Sequence, residues 1–378
     1  MTWLNTSTSV LLIGLQLLGS ARALAYDSSK FSALPRNWGL GGGTGVDALN
    51  AQRQMKSSCS ASGIVVAVID TGIDPTHPAL KNSLWVNAKE KLGKPGVDDD
   101  GDGFVDNVHG WDFVRSSGSL VDQHGHGTHI AGIIAGQNKA ENYLGVCPGV
   151  QVMSLRYYDP NGSGEDNLRN TVRAIDFAVA HKVNIINYSG GGAEYSTIEY
   201  KALKRAQEAG ILVVAAAGNE KSDADKNLYF PAAYDLDNII SVTAIADNGA
   251  VLPSSNWGLK KVHVAAPGKS ILSTLPGGNY GVMTGTSQAT AFVSGIAAML
   301  LSDGKTMSYQ KVRDTIEGSA VKAPQLAGKT RFGARVSAFA ALMLMRNNRK
   351  VSSEKEQKAS AKVLEAFRGG FKKKAVQP

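Results

Sequence analysis

The chain has 378 residues, 43% of them hydrophobic, with 42 glycines, two cysteines and a formal net charge of +8. That length can bury one large core or two ordinary ones, and two cysteines cannot make a disulfide framework. Ten Lys or Arg and three Glu from Arg346 onward hold +7 of the charge, so the body is near neutral and offers no basic face for nucleic acid.

The first 25 residues stand apart. Residues 10–18 are apolar but too short to span a bilayer, and Ala23-Leu24-Ala25 follows as a small-x-small site. This predicts a signal peptide over 1–25, cleaved after Ala25, and a secreted protein, although no Lys or Arg precedes the apolar run. No later stretch is long and apolar enough to make a transmembrane helix. Cys59 and Cys147 fit either a single bridge or two buried thiols.

Residues 64–69 are a continuous β-branched and apolar run that ends in Asp70-Thr71-Gly72. Such a run suits a strand buried on both faces of a parallel sheet. Similar runs recur at 152–155, 183–186, 211–214 and 239–242. Helical stripes lie between them: Leu168, Val172, Ile175, Ala178 and Val179, then Ile198, Leu203 and Ala206 before Gly210. Alternating strands and helices predict an α/β fold, a doubly wound, mostly parallel sheet in three layers. Asp70, Ser189 and Asn219 fall at the carboxyl ends of strands, the edge where such sheets place their sites. An apolar helix over 332–345 closes the domain, set at 26–345; 346–378 reads as a basic, disordered tail.

Three further segments carry chemistry. His124-Gly125-His126-Gly127-Thr128-His129 opens an apolar helix. Asn219 follows a buried strand, and Ser287 follows a Gly-Thr turn at the head of a helix marked by Ala289, Phe292, Val293, Ile296, Ala297 and Leu300. A nucleophilic serine needs a base, the base needs an acceptor that fixes its tautomer, and the oxyanion needs donors. Ser287, His126, Asp70 and Asn219 can fill those roles.

These segments resemble the subtilisin-like serine endopeptidases, the subtilases. The matching pieces are Val68-Ile69-Asp70-Thr71-Gly72, His126-Gly127-Thr128-His129, Ala217-Gly218-Asn219 and Gly285-Thr286-Ser287-Gln288-Ala289-Thr290. The order Asp, His, Ser is that of subtilisin. Asp-Thr-Gly alone also fits an aspartic protease, but no second such triplet occurs. The resemblance selects His126 over His124 as base and implies that His129 packs inward. It makes Ser189-Gly190-Gly191 one wall of the S1 pocket and Ala216-Ala217-Gly218 the other. It makes Gly162-Ser163-Gly164 an edge that pairs with substrate backbone. The sequon Asn161-Gly162-Ser163 lies on that edge and is expected to stay unmodified. Glu220 is expected near the pocket floor, favouring polar or basic P1 groups.

Asp98, Asp100, Asp102 and Asp106 stand at positions 1, 3, 5 and 9 of a calcium loop, with His109 where the bidentate Glu belongs. Bound structural calcium is therefore expected. Gln288 stands where the family has Met, Ala291 where it has Pro, and Gly190 where many relatives have a bulkier residue. The family also implies a propeptide, yet only residues 26–69 separate the signal from Asp70, so a separate propeptide-like inhibitor or chaperone is one expected partner. Protein or peptide substrates and a monomeric state complete the expectation; the alternative is a silent subtilase fold that only binds.

Overall fold

In the computed structural model of the protein, the described residues are 24–25, 37–304 and 307–351. Residues 1–23 of the expected signal peptide and 352–378 of the basic tail lie outside them.

Nine strands form the main sheet. From one edge they run Val321–Lys322, Ala334–Arg335, Val264–Pro267, Ile239–Ile245, Leu212–Ala216, Ile185–Tyr188, Val65–Asp70, Gln151–Arg156 and Gly110–Asp112. Every neighbouring pair is parallel except the first. All six residues of Val65–Asp70 are buried, as the unbroken apolar run predicts. Alternation sends Val66 and Val68 to one face and Val65, Ala67 and Ile69 to the other. The helices His126–Ala135 and Thr286–Gly304 cover the first face; Gly164–Ala180 and Thr197–Glu208 cover the second. Each large aliphatic side chain buried this way contributes about 1.5–3 kcal/mol. The result is the expected doubly wound α/β sheet in three layers.

Helix starts are set by caps rather than by the apolar stripe. Ser163, Ser196 and Ser308 accept from backbone N–H groups of Asp166, Glu199 and Lys311, which fixes helices beginning at Gly164, Thr197 and Tyr309. Cys59 and Cys147 are joined by a disulfide, which resolves the open alternative. Leu24–Ala25 pairs antiparallel with Asn279–Met283, which pairs in turn with Ile271–Leu275 in a small second sheet.

One expected element is corrected. The apolar helix predicted over 332–345 occupies 338–351 instead. Its front moves because Ala334–Arg335 joins the main sheet beside Val264–Pro267. The helix also runs past the boundary drawn at Arg346. Arg346 pairs with Asp303 through two 3.0 Å contacts, and Arg349 reaches the carbonyls of Asp303 and Gly304. Those carbonyls end the Thr286–Gly304 helix, where cations are favoured.

Candidate active site

The chain leaves Val65–Asp70, builds Gly110–Asp112 and Gln151–Arg156 on one side, then crosses to Ile185–Tyr188 on the other. This reversal opens a crevice at the carboxyl ends of the strands. Asp70 and Thr71, Tyr157 and Tyr158, Ser189 and Gly190 line it, with His126 beside them.

Asp70 and His126 meet there. His126 Nδ1 lies 2.7 Å from Asp70 Oδ1, which also accepts the Thr71 N–H at 2.8 Å. Both side chains are buried. Burial opposes the imidazolium, but the charge of Asp70 and its hydrogen bond, with the charge of Asp122 behind them, hold the His126 pKa above the ordinary value of 6.5. A carboxylate on Nδ1 leaves Nε2 as the nitrogen available to exchange a proton. His129 is fully buried, and its Nε2 bonds the Ile271 and Gly281 carbonyls at 3.0 and 3.2 Å, as expected. His124 is exposed, with a pKa lowered by partial burial and by His126.

Asp122 was not singled out in the sequence. It accepts from Thr71 Oγ1 at 2.9 Å, Gly125 N at 2.8 Å, and Thr128 N and Oγ1 at 2.9 and 2.6 Å. Thr71 Oγ1 in turn accepts the Gly127 N–H at 3.0 Å. One buried carboxylate thus ties the end of the Asp70 strand to the first turn of the His126 helix, which enters through Gly125 at φ +89°. An acid four residues before a helix-opening histidine is the signal that could have found it.

Ser287 is the second residue of the Thr286–Gly304 helix, so its N–H is a first-turn donor without an intrahelical acceptor. Its Oγ donates to the Ser189 carbonyl at 3.1 Å; among the described residues no hydrogen bond joins it to His126. Asn219 is exposed at the same helix head. Its Oδ1 accepts from Thr286 N at 3.0 Å and Thr286 Oγ1 at 3.2 Å, which turns its Nδ2 donor away from the helix. Gln288 is buried, and its Nε2 has no partner among the described residues.

Ser189, Gly190 and Gly191 follow the Ile185–Tyr188 strand, while Ala216 ends the Leu212–Ala216 strand and Ala217 and Gly218 follow it, so both expected walls stand on neighbouring strands. Glu220 Oε2 accepts from Asn256 Nδ2 at 2.6 Å, and burial raises its pKa. Gly162 closes a turn onto Asp159, Ser163 caps the next helix and Gly164 opens it. All three follow the crevice-lining Tyr157 and Tyr158 along the chain.

The acidic loop is only partly as expected. Carboxylate oxygens of Glu90, Asp98 and Asp100 lie within 4.8 Å of one another, and Asp100 and Asp102 group likewise with His181. Asp106 falls in neither group; its carboxylate accepts the Gly96 N–H at 2.9 Å. Glu90, missed in the sequence because it lies outside the loop, accepts from the N–H groups of Asp99, Asp100 and Asp106. It brings a carboxylate to a loop that lacks its own terminal Glu.

Fold and crevice together define a class: an α/β protein whose site lies at a sheet switch point, with a buried Asp–His pair and a serine at a helix head. Within that class the chain belongs to the subtilase family, whose profile matches residues 61–339. It is 32% identical over 329 residues to "Subtilisin-like protease 1" of Plasmodium berghei (strain Anka), covering 82% of this chain and 54% of that protein. It is 35% identical over 279 residues to "Subtilisin E" of Bacillus subtilis (strain 168), covering 73% of this chain and 65% of that protein. The chain therefore spans between half and two thirds of the length of these relatives. A solved structure of the prenylagaramide maturation protease PagA superposes with a TM-score of 0.61 at 27% identity, covering 79% of this chain and 98% of that one.

Proposed function

We propose that the chain is a secreted serine endopeptidase acting through Asp70, His126 and Ser287. The observation that carries this reading is the buried 2.7 Å contact of Asp70 with His126 Nδ1, at a crevice whose Ser189 accepts from the helix-head Ser287. Ser287 Oγ turns from the Ser189 carbonyl to His126 Nε2, loses its proton there and attacks the scissile carbonyl. Asp70 holds the tautomer and stabilises the imidazolium. Asn219 Nδ2 and the Ser287 N–H receive the oxyanion. His126 then protonates the leaving amine, and a water deprotonated by His126 hydrolyses the acyl-enzyme. Peptide backbone lies between the walls 189–191 and 216–218, with Gly162, Ser163 and Gly164 as the outer edge. The Cys59–Cys147 bridge suits an oxidising, extracytoplasmic compartment. Clustered hard oxygen donors at Glu90, Asp98 and Asp100, with Asp102 adjoining, fit a structural calcium ion. A monomer and a propeptide-like inhibitor or chaperone acting in trans belong to the same proposal.

A fluorophosphonate probe tests it. The protein should be labelled and should cleave casein, and Ser287→Ala should lose both. An unlabelled, inactive wild-type protein would instead favour the silent, binding-only reading, for which the missing Ser287–His126 hydrogen bond is the one supporting observation.

A further inference from the structure

Tyr229 lies between the two walls assigned to the S1 pocket. A Cβ placed on Gly191 would lie 2.6 Å from Tyr229 Cε1, and one placed on Gly218 would lie 2.9 Å from Tyr229 Cδ2. Those are diametrically opposite atoms of one ring. The ring therefore bridges the slot from wall to wall, and both walls are glycine where it touches them. Its position is fixed by backbone. Phe230 exchanges hydrogen bonds of 2.7 and 2.8 Å with Gly192, and the Tyr229 carbonyl accepts from Ala233 N at 2.8 Å. The side chain is buried, with 6% exposure, so it does not swing freely into solvent. A second phenol narrows the same wall: the Tyr157 hydroxyl lies where a Cβ on Gly190 would go.

We infer that Tyr229 is the floor of the S1 pocket and makes this chain selective for small, uncharged P1 side chains, alanine or serine, excluding aromatic, long aliphatic and basic ones. The inference rests on the endopeptidase reading above. It replaces the expectation that Glu220 draws basic P1 groups. The Glu220 carboxylate is held by Asn256, and the Tyr229 ring stands between the walls where a lysine side chain would have to pass. Deep pockets discriminate by contact, whereas a filled one discriminates by overlap, which a side chain of fixed size cannot relieve.

The test is a set of fluorogenic peptides that differ only at P1, carrying Ala, Ser, Leu, Phe or Lys. Wild-type protein should turn over Ala and Ser about 100-fold faster in kcat/KM than Phe, Leu or Lys, the scale on which pockets sort by size. Tyr229→Ala and the milder Tyr229→Val should raise the Phe-to-Ala ratio about tenfold or more. Tyr229→Phe should keep the wild-type ratio, because bulk and not the hydroxyl does the sorting. Fluorophosphonate labelling counts folded sites in every variant, and the wild-type series is decisive even if Tyr229→Ala fails to fold. Labelled wild-type protein that cleaves the Phe or Lys peptide as fast as the Ala peptide overturns the floor assignment alone. So does an unchanged ratio in a labelled Tyr229→Val. No label and no cleavage overturn the endopeptidase reading and this inference together.

Discussion

The Ser287 hydroxyl is tied to the wall of the proposed substrate slot: its Oγ donates to the Ser189 carbonyl at 3.1 Å. Ser189 is itself held, since its Oγ accepts from Asn187 Nδ2 at 2.8 Å while Asn187 Oδ1 accepts from Ser294 Oγ at 2.9 Å, one helix turn beyond the next from Ser287. The strand end and the helix head therefore move as one piece.

In that frame Asn219 has two separable tasks. Its Oδ1 caps the Thr286 N–H, and its Nδ2 is the proposed oxyanion donor. Asn219→Ala removes both. Its kcat should fall about 10²–10³-fold with KM little changed, a magnitude taken from subtilisin, which is the source of that rule. Its stability should fall by about 0.5–2 kcal/mol for the lost cap. Asn219→Asp keeps an acceptor for Thr286 and sets a negative charge against the oxyanion. It should melt near the wild-type temperature and lose at least as much kcat. Equal kcat in wild type and Asn219→Asp would remove Asn219 from the oxyanion site.

The pH profile follows from His126. The base must be neutral, and Asp70 and Asp122 hold its pKa above 6.5 against burial, so the acid limb of kcat/KM should have its midpoint above 6.5. Asp122→Asn removes one raising charge and should move that midpoint to lower pH, with a lower melting temperature from the weakened Thr71 and Thr128 contacts. A midpoint that stays put would deny Asp122 its electrostatic part. Stability runs differently. A raised folded pKa contributes stability that is full below about 6.5 and is lost as pH rises through the folded value, so His126 does not cause acid unfolding. Burial instead lowers His129 to about 3 and, with Arg331, Arg313 and Lys261 beside it, lowers His263 to about 2. Both bind protons more readily when unfolded, so chemical denaturation should report stability falling steadily from pH 6.5 downward.

The sheet, with Asp70 and Asn219 at or just beyond strand ends, was legible because buried parallel strands are written as unbroken apolar runs that polar residues close; His126 and Ser287 were legible as polar residues after glycine-bearing turns at the heads of apolar helices. Asp122 and Glu90 were not legible. Each acts mainly through backbone N–H groups brought together only by folding, and a lone acid in a polar stretch carries no periodic signal; for Asp122 its place four residues before the helix-opening His126 was the one cue. Tyr229 was hidden for a related reason. Its meaning comes from Gly191 and Gly218, which lie 38 and 11 residues away in the sequence and meet the ring only when the strands align. The helix over 338–351 was misplaced because two apolar neighbours, Ala334 and Val336, belong to or beside the strand second from the sheet edge, whose parallel partner lies 70 residues back.

The disulfide gives a prediction that leaves the chemistry untouched. Cys59 and Cys147 are 88 residues apart and precede the strands Val65–Asp70 and Gln151–Arg156, at the sheet edge opposite the crevice. Replacing both with serine should lower unfolding stability by about 2–4 kcal/mol through the loop no longer closed in the unfolded chain. Below the new melting temperature, kcat/KM should stay within a factor of about two, since changes that share no partners with a site couple to it weakly. A large loss of activity at full folding would mean that the bridge also sets the crevice.

Calcium makes the sharpest distinction among the acidic residues. Glu90, Asp98 and Asp100 converge, while Asp106, expected as a ligand from its position in the loop, is turned toward Gly96. If an ion binds at that convergence, it stabilises the folded state by mass action, about 2.7 kcal/mol at a hundred times its dissociation constant. EDTA should therefore lower the melting temperature, and added calcium should restore it more fully than magnesium, which demands a tighter octahedron. Asp98→Asn should abolish the calcium-dependent shift. Glu90→Gln should abolish it and also lower the metal-free melting temperature, because Glu90 holds three backbone N–H groups. Asp106→Asn should retain the shift. A melting temperature indifferent to EDTA and to calcium would make the loop a self-contained network of carboxylates and backbone amides; a shift lost in Asp106→Asn but kept in Glu90→Gln would restore the ligand set read from the loop spacing and remove Glu90 from it.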